Sequence, residues 1–205
     1  MDTLAAIHAE RRSLADFLDT LKPEDWHVQS LCTAWTIHEV LAHITLSTRQ
    51  SLPKTLLRVA KAKGNYPKAE ADWAKERARD LTPEQLIAQL REDATSDKKF
   101  ALGGRVDALV DLLVHAQDIA RPLDRDRHMS IEYVVTALDH VWPSSFYGGK
   151  KRFAGMRLIA TDADWQGGDG PQELHAAASE LLMLATGRVA RVSGPGAEEA
   201  TARVV

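Results

Sequence analysis

Between Arg105 and Pro122 the chain reads RVDALVDLLVHAQDIARP, a mostly apolar run broken by Asp107, Asp111, His115 and Asp118. Steps of four, four and three residues stack these side chains along one face of a helix, with neighbours about 5–6 Å apart. Unpaired charge is costly to bury, so such a stripe on a buried helix needs a cavity, cationic partners or a metal ion. Asp107 and Asp111 repel at this spacing unless a cation lies near them. Asp111 and His115 alone make a D-x-x-x-H pair, which is often no more than a carboxylate–imidazole hydrogen bond. His43 adds weight, because it stands on another predicted helix, on the face shared with Thr36, Val40 and Ser47. Metal sites in helical bundles are built from inward-facing side chains on neighbouring helices. His43, Asp111 and His115 would supply two nitrogens and one oxygen, a catalytic zinc set with a fourth position open to water or substrate.

The elements that must position these groups are legible from periodicity. Leu4, Ile7, Leu14, Phe17, Leu18 and Leu21 form one helical stripe, ended by Lys22-Pro23. Thr36 to Glu39 fits a capping box, and Ile37, Val40, Leu41 and Ile44 follow it at helical spacing. Thr82-Pro83 opens a further helix, the acidic stripe rides on the next, and Ile131 to Val141 gives one more. Residues 1–147 are expected to form a helical bundle, with short extra helices between 53 and 80. The pattern then changes. Tyr147 to Lys151 resembles a linker, Met156 to Thr161 alternates as a strand does, and Pro171 to Thr186 is expected to be helical. Val189 to Val192 is expected to return as a strand, so residues 148–205 make a small α+β appendage.

Composition narrows the class of protein. The 205 residues are 44% hydrophobic and 27% charged, with a net charge of −3, ordinary values for a soluble globular chain. That charge exerts no general pull on nucleic acid or anionic membrane. Lys54, Arg58, Lys61, Lys63 and Lys68 form a local basic run, better read as a solvated helix face than as a nucleic-acid site. No apolar run approaches the ~20 residues of a membrane span, and the N-terminus lacks the character of a secretory signal. A cytoplasmic location is expected. The single cysteine, Cys32, excludes an intrachain disulfide and reads as a small packed residue. Asp162 to Glu173 partly mimics a calcium loop, but Gln166 and the Gly-Pro near its end favour a hairpin turn with solvated acids. Trp35, beside the second helix, is the tryptophan most apt to line a pocket.

Four segments, SLCTAWTIHEVLAHI (Ser30 to Ile44), DLLVHAQDIARPL (Asp111 to Leu123), RLIATDADWQGGDGP (Arg157 to Pro171) and ELLMLATGR (Glu180 to Arg188), occur in this order. Together they resemble the mycothiol-dependent maleylpyruvate isomerase family, whose N-terminal part belongs to the DinB-like metal-binding four-helix bundles. The resemblance implies a mainly α fold, a DinB-like four-helix bundle with the small C-terminal α+β appendage. It also implies a divalent metal, zinc by preference, held by His43, Asp111 and His115. Characterised isomerases of the family carry Glu where this chain has Asp111, a carboxylate one methylene shorter. The resemblance further assigns catalytic roles to Asp118 and to the tail arginine, matched here by Arg188, and mycothiol as thiol cosubstrate.

The function expected on these grounds is a zinc-dependent, thiol-using enzyme. Its metal would favour the thiolate form of a low-molecular-weight thiol for attack on an electrophile. Addition and elimination across a double bond would isomerise it, and displacement of a leaving group would transfer sulfur. Asp118 would orient the thiol or handle a proton, and Arg188 would hold a substrate carboxylate. The alternatives are a metal-dependent hydrolase on the same bundle and a non-catalytic metal-binding regulator. A buried polar network without metal is the plainest reading of the stripe. The partners expected are small molecules, a thiol and an electrophile, without nucleic acid or membrane.

Overall fold

In the computed structural model, which describes residues 1–98 and 103–204, the described elements of the N-terminal unit Asp2–Arg127 are helices. Helix α1 (Thr3–Leu18) buries Ile7, Leu14 and Leu18, the stripe legible in the sequence, and stops before the 3₁₀ turn Pro23–His27. Helix α2 (Ile37–Ile44) starts where the capping box places it. The Thr36 N–H donates to Glu39 Oε2 at 2.8 Å, and Thr36 Oγ1 accepts from the Glu39 N–H at 3.4 Å. The one-turn α3 (Leu46–Arg49), α4 (Leu52–Lys61) and α5 (Tyr66–Asp80) follow. Two helices close the unit, α6 (Pro83–Glu92) behind a second capping box at Thr82, and the longer α7 (Arg105–Ala120). Helix α1 packs on α6 and α7, and α2 packs on the same two. The four helices thus close into a bundle, with α5 laid against α2. Ala108 to Ala120 of α7 are buried except Asp111, as an almost wholly apolar helix requires.

The C-terminal end of α5 is closed by a histidine. His38 Nε2 lies 3.0 Å from the carbonyl of Leu81, the residue that caps α5, and the neutral ring donates to it. Burial pushes the His38 pKa down, more than that hydrogen bond and the neighbouring Glu39 raise it. The unfolded chain therefore takes up a proton at His38 before the folded one does. Stability from this group is complete above about pH 7 and is lost as pH falls below the ordinary histidine value of about 6.5. Urea midpoints measured from pH 7.5 down to 5.5 are expected to fall less steeply in His38→Gln than in the parent chain. Equal slopes would contradict this assignment.

The second unit runs from His128 onward. It contains α8 (Ile131–Val141), the one-turn α9 (Gly149–Arg152), β1 (Met156–Ala160), β2 (Gln166–Gly167), β3 (Gln172–Ala176), α10 (Ala178–Ala185) and α11 (Ala197–Ala202). The division falls at Arg127/His128 and not near 147, because α8 packs on α10 and the sheet follows from it. The sheet has the order β2-β1-β3, with β1 antiparallel to β2 and parallel to β3. The helix expected over Pro171 to Thr186 forms only from Ala178; Gln172–Ala176 is instead a strand in register with Met156–Ala160. Leu174 and Ala176 are buried on one face of it, and pairing with β1 overrides the helical propensity of its Glu, Leu and Ala residues. Nor does Val189–Val192 join the sheet: Ser193 pairs with His175 through an isolated bridge.

The acidic run after β1 is a hairpin turn, as expected. Asp162 Oδ1 accepts the Ala178 N–H at 2.7 Å, at the start of α10. Gly168 holds a φ of +86°, and a Cβ at Gly170 would stand 2.0 Å from the Gly155 backbone. The WQGGDGP segment is therefore glycine-rich for reasons of close backbone approach.

Candidate metal centre

Two segments before and within α2 meet α7 at the site. The loop ahead of α2 is fastened to α7 where the Leu31 N–H donates to the Asp118 carbonyl at 3.1 Å. Ser30 Oγ and the Gln29 amide, both on the Trp35 carbonyl, tighten the loop further. Cys32 and Trp35 are thereby held over the stripe of α7, and α2 brings His43 to the same place.

Three of the residues singled out in the sequence converge. His43 Nε2 lies 3.2 Å from Asp111 Oδ1, and His115 Nε2 lies 3.4 Å from the same oxygen. One atom from each residue falls within 4.8 Å of the others. Donors about 2.0–2.1 Å from a tetrahedral zinc stand about 3.3–3.4 Å from one another, so this spacing suits such an ion. All three are largely buried, and the two rings meet edge to face with centroids 4.9 Å apart. Trp35 stacks on His43 at 4.7 Å and leans on His115 at 5.8 Å, walling the site with an apolar surface. Its buried indole N–H meets no acceptor among the described residues.

Electrostatics favour a cation here. Burial alone would push the Asp111 carboxyl up, but the His43 and His115 rings outweigh it and hold the group well below the usual carboxylate range. Burial works against a charge on His115 as well, yet Asp111, Asp118 and Cys32 together raise its pKa well above the ordinary histidine value. The carboxylates that favour a proton on His115 favour a metal ion between the rings for the same reason. The donor set and its field both fit zinc.

Asp118, Asp107 and Arg188 make the following contacts. Asp118 is 0% exposed, and its Oδ2 lies 2.8 Å from His115 Nδ1, behind the ring as seen from Asp111. It sets which nitrogen of His115 is left for a metal, the carboxylate–histidine pairing common at zinc sites. On the sequence, Asp118 is expected to orient the thiol or to handle a proton. Asp107 turns away to the start of α7, where Oδ2 accepts the Gly104 N–H at 2.7 Å. Arg188 lies in the C-terminal unit, just past α10, with Nη1 donating to the Thr186 carbonyl at 2.8 Å.

Two further residues border the site. The Cys32 thiol, read as packing, donates to Asp118 Oδ2 at 3.2 Å and lies 3.8 Å from His115 Nδ1. Glu70, on α5, is buried with Oε2 3.7 Å from His43 Nδ1. Nothing in the sequence points across the bundle from α5 to α2.

Comparison with known proteins agrees with this architecture. Residues 7–102 match the family model of the mycothiol maleylpyruvate isomerase N-terminal domain. No curated protein matches the chain significantly. Among solved structures, the crystal structure of the mycothiol-dependent maleylpyruvate isomerase superposes with a TM-score of 0.57 at 14% identity, over 94% of this chain and 92% of that one. A histidine-to-alanine mutant of that isomerase gives a TM-score of 0.56 at 13% identity, over the same shares. At such identities the likeness speaks for the fold. Residues 7–102 thus resemble the mycothiol maleylpyruvate isomerase N-terminal domain, and the fold of the chain is that of the isomerase.

Proposed function

We propose that this chain is a zinc-dependent enzyme that uses mycothiol as a nucleophile, in S-transfer or in isomerisation of the maleylpyruvate type. The observation that carries the reading is the convergence of His43 Nε2, Asp111 Oδ1 and His115 Nε2, with Asp118 seated on the far nitrogen of His115. His43, Asp111 and His115 would hold the metal. When bound, zinc would supply a positive charge that favours loss of a thiol proton near neutral pH.

The chain's own residues do the rest. Asp118 keeps the His115 proton on Nδ1, so that Nε2 is the free donor. Trp35 covers both rings and excludes water, which strengthens each charge interaction beneath it. Arg188 is assigned the substrate's carboxylate, which its planar fork suits. A thiolate that adds to a conjugated double bond and leaves after rotation isomerises the substrate. One that displaces a leaving group ends as a thioether. Ligands of this kind are small molecules, and no helix among the described residues is long and apolar enough to cross a membrane.

The test is direct. Zinc-loaded protein is incubated with mycothiol and, separately, with maleylpyruvate or a haloalkyl electrophile, and thiol loss and product absorbance are followed. Turnover that requires the thiol and disappears in His43→Ala is the expected result. Ester or amide cleavage without any thiol would replace this reading with the hydrolase, and no turnover under any condition would leave a metal-binding regulator.

A further inference from the structure

The two histidines of the site are not supported alike. Behind His115 stands Asp118, 2.8 Å from Nδ1. Behind His43 stands Glu70, on the first turns of α5, with Oε2 3.7 Å from Nδ1. Glu70 is 5% exposed, and that oxygen is buried without a hydrogen-bond partner among the described residues. A carboxylate oxygen left so in the interior of a bundle is costly unless it serves a nearby cationic or N–H group. The polar groups around the Glu70 carboxyl include Gln50 and the imidazole of His43, 8% exposed at the side chain, whose opposite nitrogen points to Asp111. Helix α5 packs along α2, so the approach is fixed by backbone elements and not by a loop.

We infer that Glu70 is a positioning residue for the metal centre, holding His43 through Nδ1 as Asp118 holds His115, so that both imidazoles present Nε2 to the ion. The inference rests on the proposed metal site and extends it to a third helix of the unit. A small rotation of the Glu70 side chain shortens 3.7 Å to a hydrogen bond once Nδ1 carries its proton. Asp111 then has both rings turned toward it by carboxylates of the opposite side.

The experiment measures Zn²⁺ affinity by competition with a chromophoric chelator, and the visible absorption of the Co²⁺ form, for the full chain and for Glu70→Ala, Glu70→Gln and His43→Ala. Partners of this kind typically contribute about 10–100-fold to metal affinity. Glu70→Ala is expected to lose about that factor and to alter the intensity of the Co²⁺ bands. Glu70→Gln, whose amide oxygen still accepts from Nδ1–H, is expected to recover most of the affinity. Apo-protein melting serves as the control for folding. If both Glu70 variants bind Zn²⁺ as the parent does and leave the Co²⁺ spectrum unchanged while His43→Ala loses binding, the inference falls and the metal site stands. If the parent itself binds no Zn²⁺, or His43→Ala binds as well as the parent, the metal site falls and the inference with it.

Discussion

Replacing His115 with alanine is expected to weaken zinc binding by on the order of 100-fold or more and to abolish thiol-dependent turnover. The residue has three partners. Nε2 faces Asp111 at 3.4 Å, while Nδ1 faces Asp118 at 2.8 Å and the Cys32 sulfur at 3.8 Å. Its loss removes one of two nitrogen donors and leaves two carboxylates of α7 facing an apolar wall without the imidazole between them. Loss of a ligand therefore costs more than loss of a residue that only orients one. His115→Gln separates the two consequences, since the amide keeps volume and hydrogen bonds to Asp118 but is a poor zinc donor. Chelator competition on both variants, beside far-ultraviolet circular dichroism, checks the expectation. Affinity within about threefold of the parent in a folded variant would remove His115 from the centre.

The second large effect concerns stability. Arg11 lies in α1, is 1% exposed, and spends its guanidinium on the backbone between α6 and α7. Nη1 donates to the carbonyls of Asp93 at 3.1 Å and Ser96 at 2.7 Å, and Nη2 to that of Lys98 at 3.2 Å. Burial lowers its pKa, against the pull of Asp93, Asp111 and Asp97, but a guanidinium keeps its charge at any ordinary pH. Arg11→Met should fill much of the volume while leaving three carbonyls without donors and the acids without their cation. A cost of about 3–5 kcal/mol is expected, as for breaking a buried charged network. Arg11→Lys should recover little, because an ammonium cannot span three carbonyls as a planar fork does. Urea unfolding of the apo-protein measures both, and a loss below about 1 kcal/mol would show that water replaces the guanidinium without penalty.

Arg11 also marks where sequence reading stops. In AERRS it looks like one more charge on a solvated face, and only the tertiary fold reveals that it is sealed between helices. Glu10 beside it is likewise buried, on Arg127 at 2.9 Å. What was legible followed from local rules. Thr36 and Glu39 announced α2, and the spacing of Asp111, His115 and Asp118 announced a polar face on α7. His43 was identified as a third member by ligand type and face. The stripe was over-read at one end, where Asp107 caps α7. Glu70 escaped notice because its relation to His43 is set by helix packing, which no spacing within α5 encodes. Gln172–Ala176 escaped because five residues of mixed propensity beside a strong helix read as its first turns. Its partner strand β1 decides otherwise. Cys32 was set aside on its type alone, and its contact with Asp118 depends on a loop pinned to α7.

The claim at the centre of this account is that His43, Asp111 and His115 hold one metal ion. Crystals of the zinc-loaded protein, measured on both sides of the zinc absorption edge, test it most directly. One dominant anomalous peak is expected about 2.0–2.2 Å from His43 Nε2, an Asp111 carboxylate oxygen and His115 Nε2. A dominant peak on Cys32 and Asp118 instead, or none at that cluster in crystals grown with excess zinc, would contradict it.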